Sequence, residues 1–295
     1  MTAGERGFLM LTAFLGDPEA KPLTLAQFRK LTQKARLMQP PEEDRELVVE
    51  DIAQLGQGPG IAERVVRLLN RESQLDWYLQ QGRKKEIYPI TRISEAYPVR
   101  LHYALGLEAP GALWCLGDAT ILQLPRISLV GSRDLMEDNK AFAWEVGKQA
   151  ALQGYALVSG NARGADQTAQ EGCLAHGGKV ISVIADRLDT KQPDPNILYL
   201  SESGFDLGFS AYRALQRNRI IHAMSARTFV AQCTFGSGGT WEGTLENLKC
   251  GYSQVLCFRD HTKGMEELVD RGGQWVTQEQ LTDLDALAVQ IKGLI

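Results

Sequence analysis

The sequence predicts an α/β protein: a parallel sheet with helices on both faces, preceded by a small all-helical N-terminal domain. Two patterns predict it. From Ile127 onward, short and continuously apolar runs alternate with helix-patterned segments, as strands buried on both faces require. Before Arg83, apolar residues instead recur at three- and four-residue spacing with lysine and arginine between them. The composition agrees: 295 residues, 44% hydrophobic and 23% charged, describe an ordinary globular chain with length for one large or two modest domains.

The helical part begins with "GFLMLTAFLG". That run is short, Glu5 and Arg6 precede it, and no small-x-small site follows closely, so it reads as a core helix rather than a signal peptide. "LTLAQFRKLTQKARLM" places Leu25, Phe28, Leu31, Ala35 and Met38 on one helical face, and Pro40 and Pro41 then break the pattern. "ELVVEDIAQLGQGPGIAERVVRLLNR" gives helix, Gly-Pro-Gly turn and helix, similar to a helix-hairpin-helix whose turn offers backbone N–H groups to DNA phosphate. Few basic residues flank the turn, which favours a packing unit without a ligand. The expected organisation is a helical domain of the SAM or helix-hairpin-helix kind over 1–83, a Pro- and aromatic-rich connecting segment over 84–126, and the α/β domain over 127–295.

In that last domain "ISLVGS", "ALVSG", "KVISVIAD", "TFVAQC" and "SQVLCF" read as strands. "NKAFAWEVGKQAALQGY", "GADQTAQEGCLAHGG", "RNRIIHAMS" and "TWEGTLENLKCG" read as helices, giving a Rossmann-like order. Ligands of such sheets gather beyond the carboxyl ends of the strands. Four segments converge there: Gly131, Ser132 and Arg133; Ser159, Gly160, Arg163, Gly164 and Asp166; Arg217, Asn218 and Arg219; and Gly236, Ser237, Gly238, Gly239 and Thr240. Glycine admits close backbone approach, hydroxyls donate hydrogen bonds, helix N-termini attract anions, and guanidinium groups grip phosphate oxygens in a plane. Asn218, set before an apolar run, reads as a helix cap, as a residue aiming both flanking arginines into the groove, or as both.

Several classes are disfavoured. No run of about 18 uncharged apolar residues occurs, so no membrane span is expected. The net charge of −4 argues against a basic coat, and any nucleic-acid site must be concentrated. Five scattered cysteines and four scattered histidines predict neither a disulfide framework nor a metal site, and fit a reducing cytoplasm. No G-x-G-x-x-G or G-x-x-x-x-G-K-[ST] occurs at the phosphate loops, so neither a dinucleotide cofactor nor P-loop ATP hydrolysis is expected, and no cofactor is predicted.

"YPVRL", "LVGSR", "VSGNARGAD", "RNRII" and "GSGGTWEG", in that order, resemble the DNA-processing protein A family (DprA, also called Smf), within the SLOG superfamily. The resemblance covers about 87–276. It implies a Rossmann-like domain holding single-stranded DNA by its phosphates, a homodimer, and delivery of RecA recombinase onto the strand in natural transformation and recombination. It carries Gly131, Ser132 and Arg133, then Ser159, Gly160, Gly164 and Asp166, then Arg217, Asn218 and Arg219, onto the phosphate-binding loops. There are departures. A family histidine after the second loop is missing from "GADQTAQEG", the late "SGSL" loop is replaced, and the tail after Arg259 is too short for the winged helix of many members.

The alternative is a SLOG-type sensor or phosphoribohydrolase acting on a nucleotide-derived ligand, for example in anti-phage defence. "GSGGTWEGTLENL" is similar to the phosphoribohydrolase motif, but Glu242 and Glu246 each fall one residue out of register. One residue is about 100° of helix rotation, which leans the reading away from an enzyme. Asp166 reads as a helix-start residue or a ribose contact, Trp241 as a base-stacking or packing residue, and His222 as a core-edge histidine.

Overall fold

The computed structural model describes residues 1–36 and 46–287, and the expected positions of Met38, Pro40 and Pro41 lie outside them. Two compact units emerge: 1–97 with 110–114 and 202–206, and 98–109 with 115–201 and 207–295. The connecting segment is divided between them.

The first unit holds α1 (Ala3–Thr12), α2 (Leu25–Ala35), α3 (Val49–Gln54), α4 (Pro59–Leu69), α5 (Glu72–Arg83) and β1 (Ile87–Thr91). Local chemistry sets the helix starts. The Thr2 hydroxyl accepts from the Glu5 N–H at 3.2 Å while Glu5 accepts from the Thr2 N–H at 2.6 Å. Thr24 and Gln27 repeat this reciprocal cap on α2. In the Gly-Pro-Gly turn, Gly58 is the cap and Pro59 the first residue of α4, where the missing N–H costs nothing. Leu11, Leu31, Ile52, Val65 and Leu68 bring α1 to α4 onto one core. Tyr78 on α5 stacks on Phe205 at 4.3 Å and donates to Asp206 at 2.6 Å.

The second unit adds α6 (Val99–Leu105), and β2 (Ala112–Leu116) runs from the first unit into it. Then follow β3 (Arg126–Val130), α7 (Glu137–Leu152), β4 (Ala156–Ser159), α8 (Ala165–Ala175), β5 (Lys179–Val183) and β6 (Ile197–Ser201). The chain continues through α9 (Ala211–Met224), β7 (Arg227–Val230), α10 (Gly239–Cys250), β8 (Gln254–Phe258), α11 (Lys263–Asp270) and β9 (Gln274–Val276). Its strands lie in the order β6-β5-β4-β3-β7-β8-β9, every neighbouring pair parallel.

Strand side chains alternate between faces, and both faces are covered. Ile127 and Leu129 of β3, with Phe229 of β7, join Phe142 and Val146 of α7 and Ala169 of α8 in one core. Ser128, between them on β3, turns to the other face and donates to the Ile221 carbonyl of α9 at 2.6 Å. The α/β fold with a parallel sheet is therefore as expected. The sequence reading missed four strands: β1 and β2 lie in what read as a connecting segment, so the first unit is not all-helical, β6 follows a loop without an α-helix, and β9 is three residues long.

Candidate functional site

From β3 the chain moves outward through β4, β5 and β6; from β7 it moves outward the other way. The loops leaving β3 and β7 therefore diverge, and a crevice opens at the carboxyl ends of these strands. Two adjoining cavities of about 470 and 480 Å³ fill it, sharing Arg133, Ala162, Ala214 and Arg217.

The first loop packs tightly: a Cβ on Gly131 would lie 2.5 Å from that of Ala165. The Ser132 N–H and hydroxyl both point to the Gln232 carbonyl, at 2.9 and 3.2 Å, so Ser132, which with Gly131 lines the 480 Å³ cavity, ties the β3 loop to the β7 loop. Arg133 is exposed, lines both cavities, and makes no side-chain hydrogen bond or ion pair among the described residues. In the second loop Ser159 is fully buried and accepts from Gln170 at 2.7 Å, away from the cavities. Gly160 and Arg163 line the 470 Å³ cavity, where Arg163 pairs with exposed Asp134 at 2.6 Å. Gly164 caps α8 at φ +85°, and a Cβ there would come 2.3 Å from the Arg133 carbonyl, so its backbone admits only glycine.

The third segment is not a helix mouth. α9 starts at Ala211, capped by the Ser210 hydroxyl, which accepts from the Arg213 N–H at 3.1 Å. Arg217, Asn218 and Arg219 thus lie inside the helix, and Asn218 is no cap. Residues two apart on a helix point about 200° away from each other, so the two arginines cannot share one groove. Arg217 enters it. Arg219 turns away, with Nη1 2.7 Å from Glu108 and Nε 3.9 Å from Glu246, and lines neither cavity. Asn218 donates to the Gly239 carbonyl at 3.0 Å and so fastens α9 to the fourth segment.

In that fourth segment Ser237, Gly238, Gly239 and Thr240 line the 480 Å³ cavity, whereas Gly236 stands outside it. The Thr240 hydroxyl donates to the Gly131 carbonyl at 2.9 Å, closing the ring of loops. The N–H groups of Gly239, Thr240 and Trp241 at the start of α10 find no backbone acceptor among the described residues. They form a cluster of open donors at the positive end of a helix dipole.

Arg217 and Asp166, both nearly buried, face each other at 3.7 Å. Burial pushes the Asp166 carboxyl above the usual carboxylate range, while Arg217 and the N–H groups of Ala162 and Gly160 draw it back down. Asp166 is thus a brace for the arginine and its loop. The 470 Å³ cavity is lined by Arg133, Arg163, Lys191 and Arg217 against a single carboxylate, Asp186. Its charge and size suit an anionic chain of phosphates.

Sequence reasoning missed Lys191, Phe209 and Arg213. Phe209, 60% exposed, lines the 470 Å³ cavity and offers a flat apolar face beside the cations. Buried Arg213 holds that loop by donating to the carbonyls of Leu207 and Gly208, both at 2.7 Å, and of Ala185 at 3.0 Å. A signal for Arg213 lies in "GFSAYRALQRNR", where an arginine four residues before Arg217 shares its helical side. Trp241 is buried against Phe235 at 5.2 Å and is a packing residue. Glu242 faces solvent, and Glu246 accepts from the Tyr252 hydroxyl at 3.1 Å.

Residues 89–284 match the family model described as DNA recombination-mediator protein A. The chain belongs to this family. It is 27% identical over 252 residues to the DNA processing protein DprA of Streptococcus pneumoniae, covering 80% of this chain and 86% of that protein. The crystal structure of DprA from Streptococcus pneumoniae superposes with a TM-score of 0.73 at 23% identity, over 95% of this chain and 97% of the other. DNA processing protein A from Helicobacter pylori, whose structure was described for its single-stranded DNA binding mode, gives 0.57 at 23% identity, over 67% and 94%. In this DprA-family chain the groove just described sits at the topological switch of the matched region.

Among the described residues no helix is long and apolar enough to cross a membrane.

Proposed function

We propose that the groove at the carboxyl edge of β3, β4 and β7 binds single-stranded DNA by its phosphates, as a recombination mediator of the DprA kind. The observation that carries this reading is the convergence of Arg133, Arg217 and the open N–H groups of α10 on adjoining cavities. The open N–H groups of α10 and the exposed guanidinium of Arg133 call for anionic oxygen, and Arg217, braced by Asp166, adds positive charge beside them. Exposed Phe209 adds a face on which a base can stack. The likeness to the family supplies the rest of the proposal: a homodimer that passes the held strand to RecA, checked by light scattering and by RecA filament assembly on the bound strand.

The experiment is a gel shift with oligonucleotides of several lengths across a salt series. Affinity is expected to fall as salt rises, because neutralised phosphates release counterions. Arg219→Ala is expected to bind within about twofold of wild type, since its guanidinium is held by Glu108 and Glu246 outside the cavities. Binding of nucleoside monophosphates in preference to single strands would instead assign the groove to a small nucleotide.

A further inference from the structure

His222 lies one turn beyond Asn218 on α9 and is 1% exposed, yet it lines the 480 Å³ cavity together with Gly239 and Thr240. Its ring is fixed from behind. Nδ1 is 3.1 Å from Asn247 Nδ2 and 3.3 Å from the Thr228 hydroxyl. Asn247 is itself oriented, because its carbonyl oxygen accepts from the Ser253 N–H at 2.8 Å, which leaves its NH2 group facing the ring. An amide NH2 only donates, so Nδ1 accepts and the ring proton resides on Nε2. Burial keeps the ring neutral, its pKa drawn down to about 3. Nε2 has no hydrogen-bond partner among the described residues. A buried N–H lacking an acceptor is costly, and the ring that carries it lines the same cavity as the first turn of α10 with its open donors.

We propose that His222 is a ligand-binding residue: its Nε2–H donates to a non-bridging phosphate oxygen at the inner end of the seat formed with the first turn of α10. This rests on the reading of the groove as a phosphate site. Two carboxylates also line this cavity, but Asp134 pairs with Arg163 and Asp166 faces Arg217, so the open N–H groups of Gly239 and Thr240 favour phosphate over a base edge.

The test is fluorescence anisotropy of the full chain with labelled oligothymidylate, with and without a 5′-phosphate. His222→Leu removes the donor at similar volume and is expected to bind at least tenfold more weakly. The slope of affinity against salt should stay unchanged, because a neutral donor releases no counterion. His222→Gln, which keeps an N–H at the end of the side chain, is expected within about threefold of wild type. Loss confined to the 5′-phosphorylated strand places a terminal phosphate in the seat; loss with both strands places an internal one. A Leu variant as tight as wild type overturns the proposal. Should that variant not fold, nitrogen-15 spectra of wild-type histidines decide: His222 Nε2 must carry the proton and shift when oligonucleotide is added, and a proton on Nδ1 or an unmoved signal overturns the assignment. If wild-type protein binds no strand, the reading of the groove fails first, and the same spectra with inorganic phosphate still test the seat.

Discussion

Replacing Arg217 with alanine is expected to weaken single-strand binding at least tenfold and to destabilise the protein near neutral pH. The first effect follows from placement: Arg217 lines both cavities and is the α9 arginine that does so. Loss of one phosphate contact should lower the salt slope by about 0.7 for a single strand. The second effect comes from Asp166, which would lose its facing charge at 3.7 Å while remaining buried. Breaking such a pair from one side costs about 3 kcal/mol.

The pH dependence has a definite sign. Burial already raises the Asp166 carboxyl, and removing Arg217 raises it further. The folded state then holds a proton that the unfolded chain releases, so stability falls as pH rises from the ordinary carboxylate range towards the raised folded value. The deficit of Arg217→Ala should therefore shrink as the pH is lowered towards that ordinary range. Adding Asp166→Asn removes the stranded charge and keeps an oxygen for the Ala162 N–H, 3.1 Å away. The double variant should melt close to wild type and still bind poorly. Recovery of binding in it would remove Arg217 from the site.

Gly147→Ala is expected to cost at least about 3 kcal/mol, the upper part of the overpacking range. A Cβ there would lie 1.9 Å from the Ala169 carbonyl oxygen and 2.9 Å from the Cys173 nitrogen, both backbone atoms of α8. Gly172 of α8 reciprocates, its added Cβ falling 2.4 Å from the Trp144 carbonyl of α7. No side chain can swing aside to make room, so the two helices must part. For a chain of this size the melting temperature should fall by roughly 6–12 °C, read by scanning calorimetry. A shift below about 2 °C would show that α7 and α8 separate freely. Because α8 opens with Gly164 and Asp166, the same variant should also loosen the loop between β4 and α8.

The loops at the carboxyl edge of the sheet were legible because glycine marks them. Gly131 sits against Ala165, Gly164 against the Ser132 and Arg133 carbonyls, and Gly239 beside the Asn218 amide. The start of α9 was not. "RNRII" reads as a cap before an apolar run, but Ser210 begins the helix earlier, and half-buried Ala214 and Leu215 carry little apolar contrast. β9 escaped because three residues display too little period to separate from a loop, and β6 because no helix pattern separates it from β5.

The order of apolar strands, helices and glycine turns is written locally, one residue after another, so the sequence by itself determined the α/β architecture and the edge of the sheet where charge gathers. Tertiary structure decided which groups face that edge. Arg217 and Arg219 are alike in sequence and neighbourhood; only the rotation of α9, set by its packing on β3 and α10, sends one to Asp166 and the other to Glu108. His222 likewise gains its open Nε2 from partners on β7 and α10, contacts that no local pattern encodes.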